Sequence, residues 1–401
     1  VGVVNGWTRR KLTGGTERGA FHAHAYYDIP VFDAAGRLVA GHRVAFADRQ
    51  PTADDAVEVG YVDTEGDGAW TPVGESRAWS WQQGALSQWV GASRTLVWND
   101  REPGGAAGSR FVARLFDVDT GERRTLPRPV YGLDPAGRFA LSLNMARLDR
   151  VRPGYGYPAG AGAQLDRQRP SSDGVWRLDL ETGEARLVLS LRDAARVLAP
   201  RLSLKERVKH RVRRYVYWFN HVKVSPDGRR FTVKLRYRQL GGRWTGRMGA
   251  SLTCGVDGAD PRVLAQATSH VIWLDDERLY LWHEGDGVLA LYRDAPGGGE
   301  RVERLAPGVV DHNVHIRRLP GEAEAYVFDT PYREAVDLFV WDRAGNERTP
   351  IARFENHRPK RGPFRCDLHP VPSPDGRKIV VTSLDDGGRQ MYLLVREPVR
   401  P

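Results

Sequence analysis

The stretch "FNHVKVSPDGRRF" (219–231) is echoed about 150 residues later by "CDLHPVPSPDGRKI" (366–379). Each places a histidine, His221 and His369, four residues ahead of the same Ser-Pro-Asp-Gly-Arg sequence. A turn that recurs at long range with the same residue fixed in front of it reads as an internal structural repeat. Looser copies of the turn are "DAAGR" (33–37), "DPAGR" (134–138) and "LDDER" (274–278). A second kind alternates with them: "DTEGDG" (63–68), "DVDTGE" (117–122), "DLETGE" (179–184), "GVDGAD" (255–260), "DAPGGGE" (294–300) and "DRAGNE" (342–347).

Between these turns lie short runs rich in aliphatic, aromatic and β-branched residues, the pattern of strands. The two turn kinds bracket them as strand A, turn, strand B, loop, strand C, turn, strand D, which is one four-stranded antiparallel blade. First strands begin near His24, Gln83, Val130, His221, His270, His312 and His369. The fold class expected is therefore all-β, a seven-bladed β-propeller forming a single domain over 1–401. Its blades span roughly 19–76, 79–127, 129–190, 216–266, 268–306, 308–352 and 367–398. The last blade runs out of chain after its third strand, so residues 4–13 ("VNGWTRRKLT") are expected to supply the fourth. Closing the blade this way covers an edge that would otherwise stand open. Residues 191–214 break the pattern and read as a short, basic helical insertion divided at Pro200.

The chain has 401 residues, 60 Lys and Arg against 50 Asp and Glu, and a net charge of +10. Only seven of the basic residues are lysine. Guanidinium groups fork onto carboxylates and phosphates, so an acidic partner is expected. Nucleic acid is not that partner: the arginines are dispersed, and no helix-turn-helix, zinc-finger or aromatic RNA-binding motif is present. No apolar run approaches the length of a membrane span. Two cysteines, Cys254 and Cys366, make neither a disulfide framework nor a zinc motif, and they favour a reducing compartment such as the cytoplasm.

In a propeller, strand A starts and strand B ends at the same mouth of the central channel. His221, His270, His312 and His369 occupy the A-start position of four successive blades. Together with an amide from Gln83, or Gln82 beside it, they suit a divalent ion, manganese or zinc rather than calcium. B-strand ends add Asn99, Arg101, Arg147, Arg236, His283 and Arg333. The Gly/Pro loop at 150–160 offers Tyr155 and Tyr157, and "FHAHAYYD" (21–28) offers His22, His24, Tyr26 and Tyr27. Strand alternation would send His22, His24 and Tyr26 to one side and Tyr27 to the other. Trp79 and Trp81 read either as blade packing or as a sugar-stacking platform, and Trp89 as packing. A mouth lined by His, Arg, Tyr and Gln suits uronic acids. β-Elimination needs the carboxylate neutralised, a base for the C5 proton and an acid for the leaving oxygen. Hydrolysis would call for two opposed carboxylates, and Asp100, Asp311, Asp329, Asp367 and Asp385 form no evident pair in the sequence.

On "NHVKVSPDGRRF", "SHVIWLDDERLYLW", "DHNVHI" and "DLHPVPSPDGRKIVVTSLDDGGRQMYLL", residues 215–398 resemble the oligogalacturonate-lyase-like propellers, relatives of TolB-type propellers similar in architecture to ulvan lyases. The resemblance implies a metal on three histidines and a glutamine, here His270, His312, His369 and Gln83. It also implies a histidine base, His221 or His24, beside a carboxylate-binding arginine, Arg236 or Arg147, with Tyr26 in the same constellation. His22, Gln82, Arg101, Tyr155, Tyr157 and Arg333 would contact substrate. "DHNVHI" holds His312 and His315 without a nearby glutamine, a departure that leaves the metal-independent His/Tyr/Arg arrangement open. The expected activity is a polysaccharide lyase acting on an acidic, uronate-containing oligo- or polysaccharide. The alternatives are a non-catalytic glycan- or protein-binding propeller and a glycosidase acting next to a uronic acid.

Overall fold

The structure, a computed structural model, describes residues 3–14, 20–103, 110–158, 165, 167–241, 248–322 and 324–398. Its strands form seven antiparallel sheets, six of four strands and one of five, the seven blades of a β-propeller. The chain divides into two compact units. One comprises Val1–Arg101, Ala113–Thr125 and Ala306–Pro401; the other comprises Glu102–Val112 and Leu126–Leu305. Blades 1, 6 and 7 and most of blade 2 belong to the first unit, and blades 3, 4 and 5 to the second.

The repeated turn is held the same way in blades 4 and 7. Ser225 Oγ donates to Asp227 Oδ1 (2.6 Å) and accepts from the Arg230 amide (2.9 Å). Ser373 repeats this with Asp375 (2.5 Å) and Lys378 (2.9 Å). The glycine sits at φ +73° in Gly228 and +69° in Gly376, a region that penalises any side chain. A Cβ on Gly376 would also fall 2.0 Å from the Pro320 carbonyl oxygen.

Blade 7 is completed as the sequence implies. Trp7–Lys11 pairs antiparallel with Gln390–Arg396, from Trp7 opposite Arg396 to Lys11 opposite Tyr392. Trp7 is buried in an apolar cluster with Leu338, Phe354, Leu394 and others of blades 6 and 7. Burial of an aromatic of this size holds the closing strand by about 3–5 kcal/mol on truncation.

The insertion forms α2 (Leu191–Leu198), a short 3-10 turn, Ala199–Arg201, and α3 (Leu204–Val212), the latter with a capping box between Ser203 and Glu206. One further helix, α1 (Met145–Val151), replaces the expected strand end at Arg147. Asn144 stops the strand, its side chain accepting from the Arg147 amide as an N-cap. No helix among the described residues is long and apolar enough to cross a membrane.

Candidate active site

The first strand of blade 4, Tyr215–Val224, carries a register break between Asn220 and Lys223. His221 stands in it with φ +51°. Blade 5 repeats the device: its first strand breaks register between Ser269 and Ile272, and His270 has φ +46°. His369, four residues before its turn in blade 7, has φ +48°. Left-handed backbone at a non-glycine residue is uncommon and costs energy, so its recurrence at one repeat position points to a directed side chain. Leu86 shares the conformation (φ +54°) and stands four residues ahead of the Val90 turn. Four blades thus share a left-handed residue at this position, and three of them place a histidine on it.

In the second unit, His221 is half-buried and framed by blade 3 and by the segment after α1. Tyr131 brings its hydroxyl to 3.1 Å from His221 Nδ1 and donates to Asn220 Oδ1 at 3.2 Å. The His221 amide donates to the same two oxygens, at 3.2 and 2.9 Å. With the phenol proton directed to Asn220, Nδ1 keeps its own proton and Nε2 is the basic nitrogen. The Tyr155 ring meets His221 edge-on at 5.8 Å, and the Arg152 guanidinium lies 3.5 Å above Tyr155. Burial pushes the His221 imidazole well below its ordinary pKa, and Lys223, Arg152, His270 and Arg236 push it further. The result is a neutral base among cations.

Arg236 is buried and pairs across the sheet with Trp218. Arg147, by contrast, is engaged in holding α1: its Nε lies 2.7 Å from Asp173, and Nη1 donates to the Arg167 and Tyr217 carbonyls at 3.0 and 3.3 Å. Buried and bonded to a carboxylate and two carbonyls, Arg147 has a structural setting. Tyr157 is fully buried edge-on to Phe111.

In the first unit a different cluster gathers. His315, Asp367 and His369 are buried and offer ligand atoms all within 4.8 Å of one another. The rings of His315 and His369 are 4.6 Å apart and at right angles, and Tyr26 and Tyr27 close on both. Strand alternation therefore does not separate the two tyrosines: the strand ends at Ala23, and the chain turns so that their rings lie 5.0 Å apart. Asp329 holds His315 from behind, its carboxylate 3.0 Å from Nδ1 and also accepting the His315 amide. Burial alone would lower the His315 pKa, but the Asp329 carboxylate outweighs it and raises it. Asp367 is paired with Arg365 at 2.7 Å.

Two imidazoles and a carboxylate fit a divalent ion, and the Asp329–His315 bond is the outer support that a metal-binding histidine ordinarily has. Of the expected ligands this cluster contains His369. His270 belongs to the second unit, beside His221. His312 is paired with the exposed carboxylate of Asp311 at 2.6 Å. Gln83 is fully buried in the Ser80–Gly84 turn. Gln82 ties down the Pro363 and Arg365 carbonyls. Asp367 and Asp329, which showed no pairing as a sequence, come together around His315. The sequence reading named His315 but gave the ligand position to His312, although His315 stands four residues before Leu319, as His221 does before Ser225.

The remaining expected residues are placed as follows. His22 is buried with Nδ1 3.1 Å from Gln390. His24 is buried with Nδ1 2.7 Å from the Ala25 carbonyl, and burial lowers its pKa to about 4. Neither has the setting of a base reached by substrate. Arg101 is half-buried at 4.0 Å from Asp54, and Arg333 is exposed. Trp79 and Trp81 are blade packing, with their indole N–H groups on the Asp55 and Arg49 carbonyls. Buried on their faces, they offer no stacking platform.

No protein-family model matches the chain, and no curated relative matches it in sequence. Solved structures do. An oligogalacturonate lyase in complex with manganese superposes with a TM-score of 0.60 at 14% identity, over 98% of this chain and 93% of that one. An oligogalacturonate lyase from Vibrio parahaemolyticus gives 0.58 at 13% identity, over 96% and 93%. TolB from Acinetobacter baumannii matches at 0.39 and 14% identity, over 80% and 65%. The chain shares the propeller fold of the lyases along almost its whole length.

Proposed function

We propose that the protein is a polysaccharide lyase that cleaves a uronate-containing oligosaccharide by β-elimination, with His221 as the base. The observation that carries this is the setting of His221: neutral, half-buried, tied through Nδ1 to Tyr131, and surrounded by Arg152, Lys223, Arg236 and His270. Burial is the main cause of the lowered pKa, and the cations that add to it also attract a carboxylate, so the surroundings that keep the base unprotonated also bind the substrate.

Nε2 of His221 takes the proton from C5, and the electron pair left there is delocalised into the carboxylate. Arg152, Arg236 and Lys223 stabilise that developing charge. The pair then forms the C4–C5 double bond as the C4–oxygen bond breaks, and the leaving oxygen takes up a proton. Tyr131 is a positioning residue in this scheme, keeping the basic nitrogen forward. Separately, in the first unit, His315, His369 and Asp367 would hold a divalent ion, which supplies Lewis-acid chemistry when bound. Asp329 orients His315 for that role.

The test is to incubate the protein with a panel of uronate-containing oligo- and polysaccharides, with and without chelator and added manganese, and follow the near-ultraviolet absorbance of an unsaturated uronate. A rise that disappears in His221→Ala supports the reading. Saturated sugar products without absorbance point to a glycosidase, and binding without any product points to a non-catalytic glycan-binding propeller.

A further inference from the structure

The insertion presents a face that the active site does not explain. Helix α3 docks through one side only: His210 is buried, stacked on Tyr215 at 4.2 Å and bonded through Nδ1 to the Tyr217 hydroxyl at 2.7 Å. On the opposite side, at intervals of four, stand Leu204, Val208 and Val212, which are 71%, 53% and 72% exposed. At 100° per residue these three fall within an arc of about 80°, directly away from His210. Lys205 and Lys209 flank the stripe on one side, and Arg207 and Arg211 on the other. From Ser203 to Arg214 there are six basic residues and one acid, Glu206.

The stripe continues beyond the helix. The Leu240 amide, just after the second strand of blade 4, donates to the Arg214 carbonyl at 3.0 Å, at the end of the insertion. Leu240 is 37% exposed and Met248, paired with Tyr237 at the start of the third strand, is 41% exposed. Among the described residues, five of the eight exposed large apolar side chains come from α3 and these two strand ends. Scattered exposed apolars are ordinary; a concentrated, cation-rimmed set marks a docking surface.

The charge selects the occupant. A second copy would set six like charges against six, and an acidic sugar brings no apolar face for Leu and Val. An anionic bilayer surface supplies both parts, phosphate at the level of the lysines and arginines and hydrocarbon beneath the stripe. We propose that α3, with Leu240 and Met248, docks the protein on an anionic lipid surface, with α3 lying in the plane of the interface.

The experiment is co-sedimentation of the full chain with phosphatidylcholine vesicles, with and without phosphatidylglycerol, at low and high salt. The protein is expected to pellet with the phosphatidylglycerol vesicles, far less with phosphatidylcholine alone, and less as salt rises. Val208→Ser with Val212→Ser keeps the charge and should weaken binding roughly tenfold. Lys205→Glu with Lys209→Glu should weaken it at least as much. All four positions are exposed, so unchanged melting curves should certify the fold. Failure to pellet with phosphatidylglycerol overturns the proposal. So does equal pelleting by the serine pair, which would mean adsorption through net charge alone. Self-association without lipid that the serine pair abolishes also overturns it, in favour of a second copy.

Discussion

His221 and the His315–His369 pair occupy equivalent places in the repeat, four residues ahead of a turn, yet their neighbours make them opposite kinds of imidazole. Burial drives the His221 pKa well below the ordinary value, and Lys223, Arg152, His270 and Arg236 drive it further. Around His315 stand Asp329 and Asp367, and its pKa rises. One setting makes a neutral base that attracts anions; the other makes an oriented, carboxylate-backed donor group that attracts a cation. The repeat places the side chain, and the residues packed around it decide its chemistry.

The largest effect that separates the two settings should come from removing the base. His221→Ala is expected to lower kcat by about 10²–10⁴-fold, as loss of a general base does, while substrate affinity changes little because the cations remain. Steady-state rates with equilibrium binding measured in parallel check this. Next, Asp329→Asn should weaken manganese or zinc binding by about 10–100-fold, since it removes the support behind His315. Calorimetric titration reads it directly, and an unchanged affinity would mean that His315 is not a ligand.

Tyr131→Phe sharpens the contrast from the other side. It removes one hydrogen bond from His221 Nδ1 and should cost roughly tenfold in kcat/KM, with a shift of the acidic limb of the pH–rate profile. A packing role alone would leave that limb where it is.

A separate effect concerns stability. Burial holds His24 near pKa 4 and His42 near 3, both below the ordinary 6.5. The unfolded chain therefore binds more protons than the folded one below pH 6.5. The stability these residues allow is complete above that value and is lost as pH falls toward 4, with a slope of about 1.4 kcal/mol per pH unit for each group. Melting temperature against pH should show this decline, and His42→Leu should make it shallower.

Much of the architecture was legible because glycine-bearing turns have few substitutes. Gly36, Gly137, Gly228 and Gly376 all have positive φ, so the repeat survives where side chains drift. The closing strand at Trp7–Lys11 followed from counting strands in the last blade. The site was less legible. Choosing His312 over His315 followed the first histidine of "DHNVHI", whereas the four-residue spacing to the turn selects His315. The helix at Met145–Val151 was hidden because its apolar residues continue those of the strand before it, and only the Asn144 cap divides them. Pairing of Tyr26 with Tyr27 required knowing that the strand stops at Ala23. Tyr131 and Arg152 reach His221 from the start of blade 3 and from the end of α1 within it, a long-range juxtaposition without a local sequence signal.

The central claim is that cleavage is an elimination driven from His221, and product mass tests it most directly. Digestion of a defined uronate oligosaccharide should give two fragments whose masses sum to that of the substrate, the residue at the non-reducing end of the reducing-side fragment being unsaturated, with His221→Ala giving neither. Fragments that together exceed the substrate by one water, or unaltered cleavage by His221→Ala, would contradict the account.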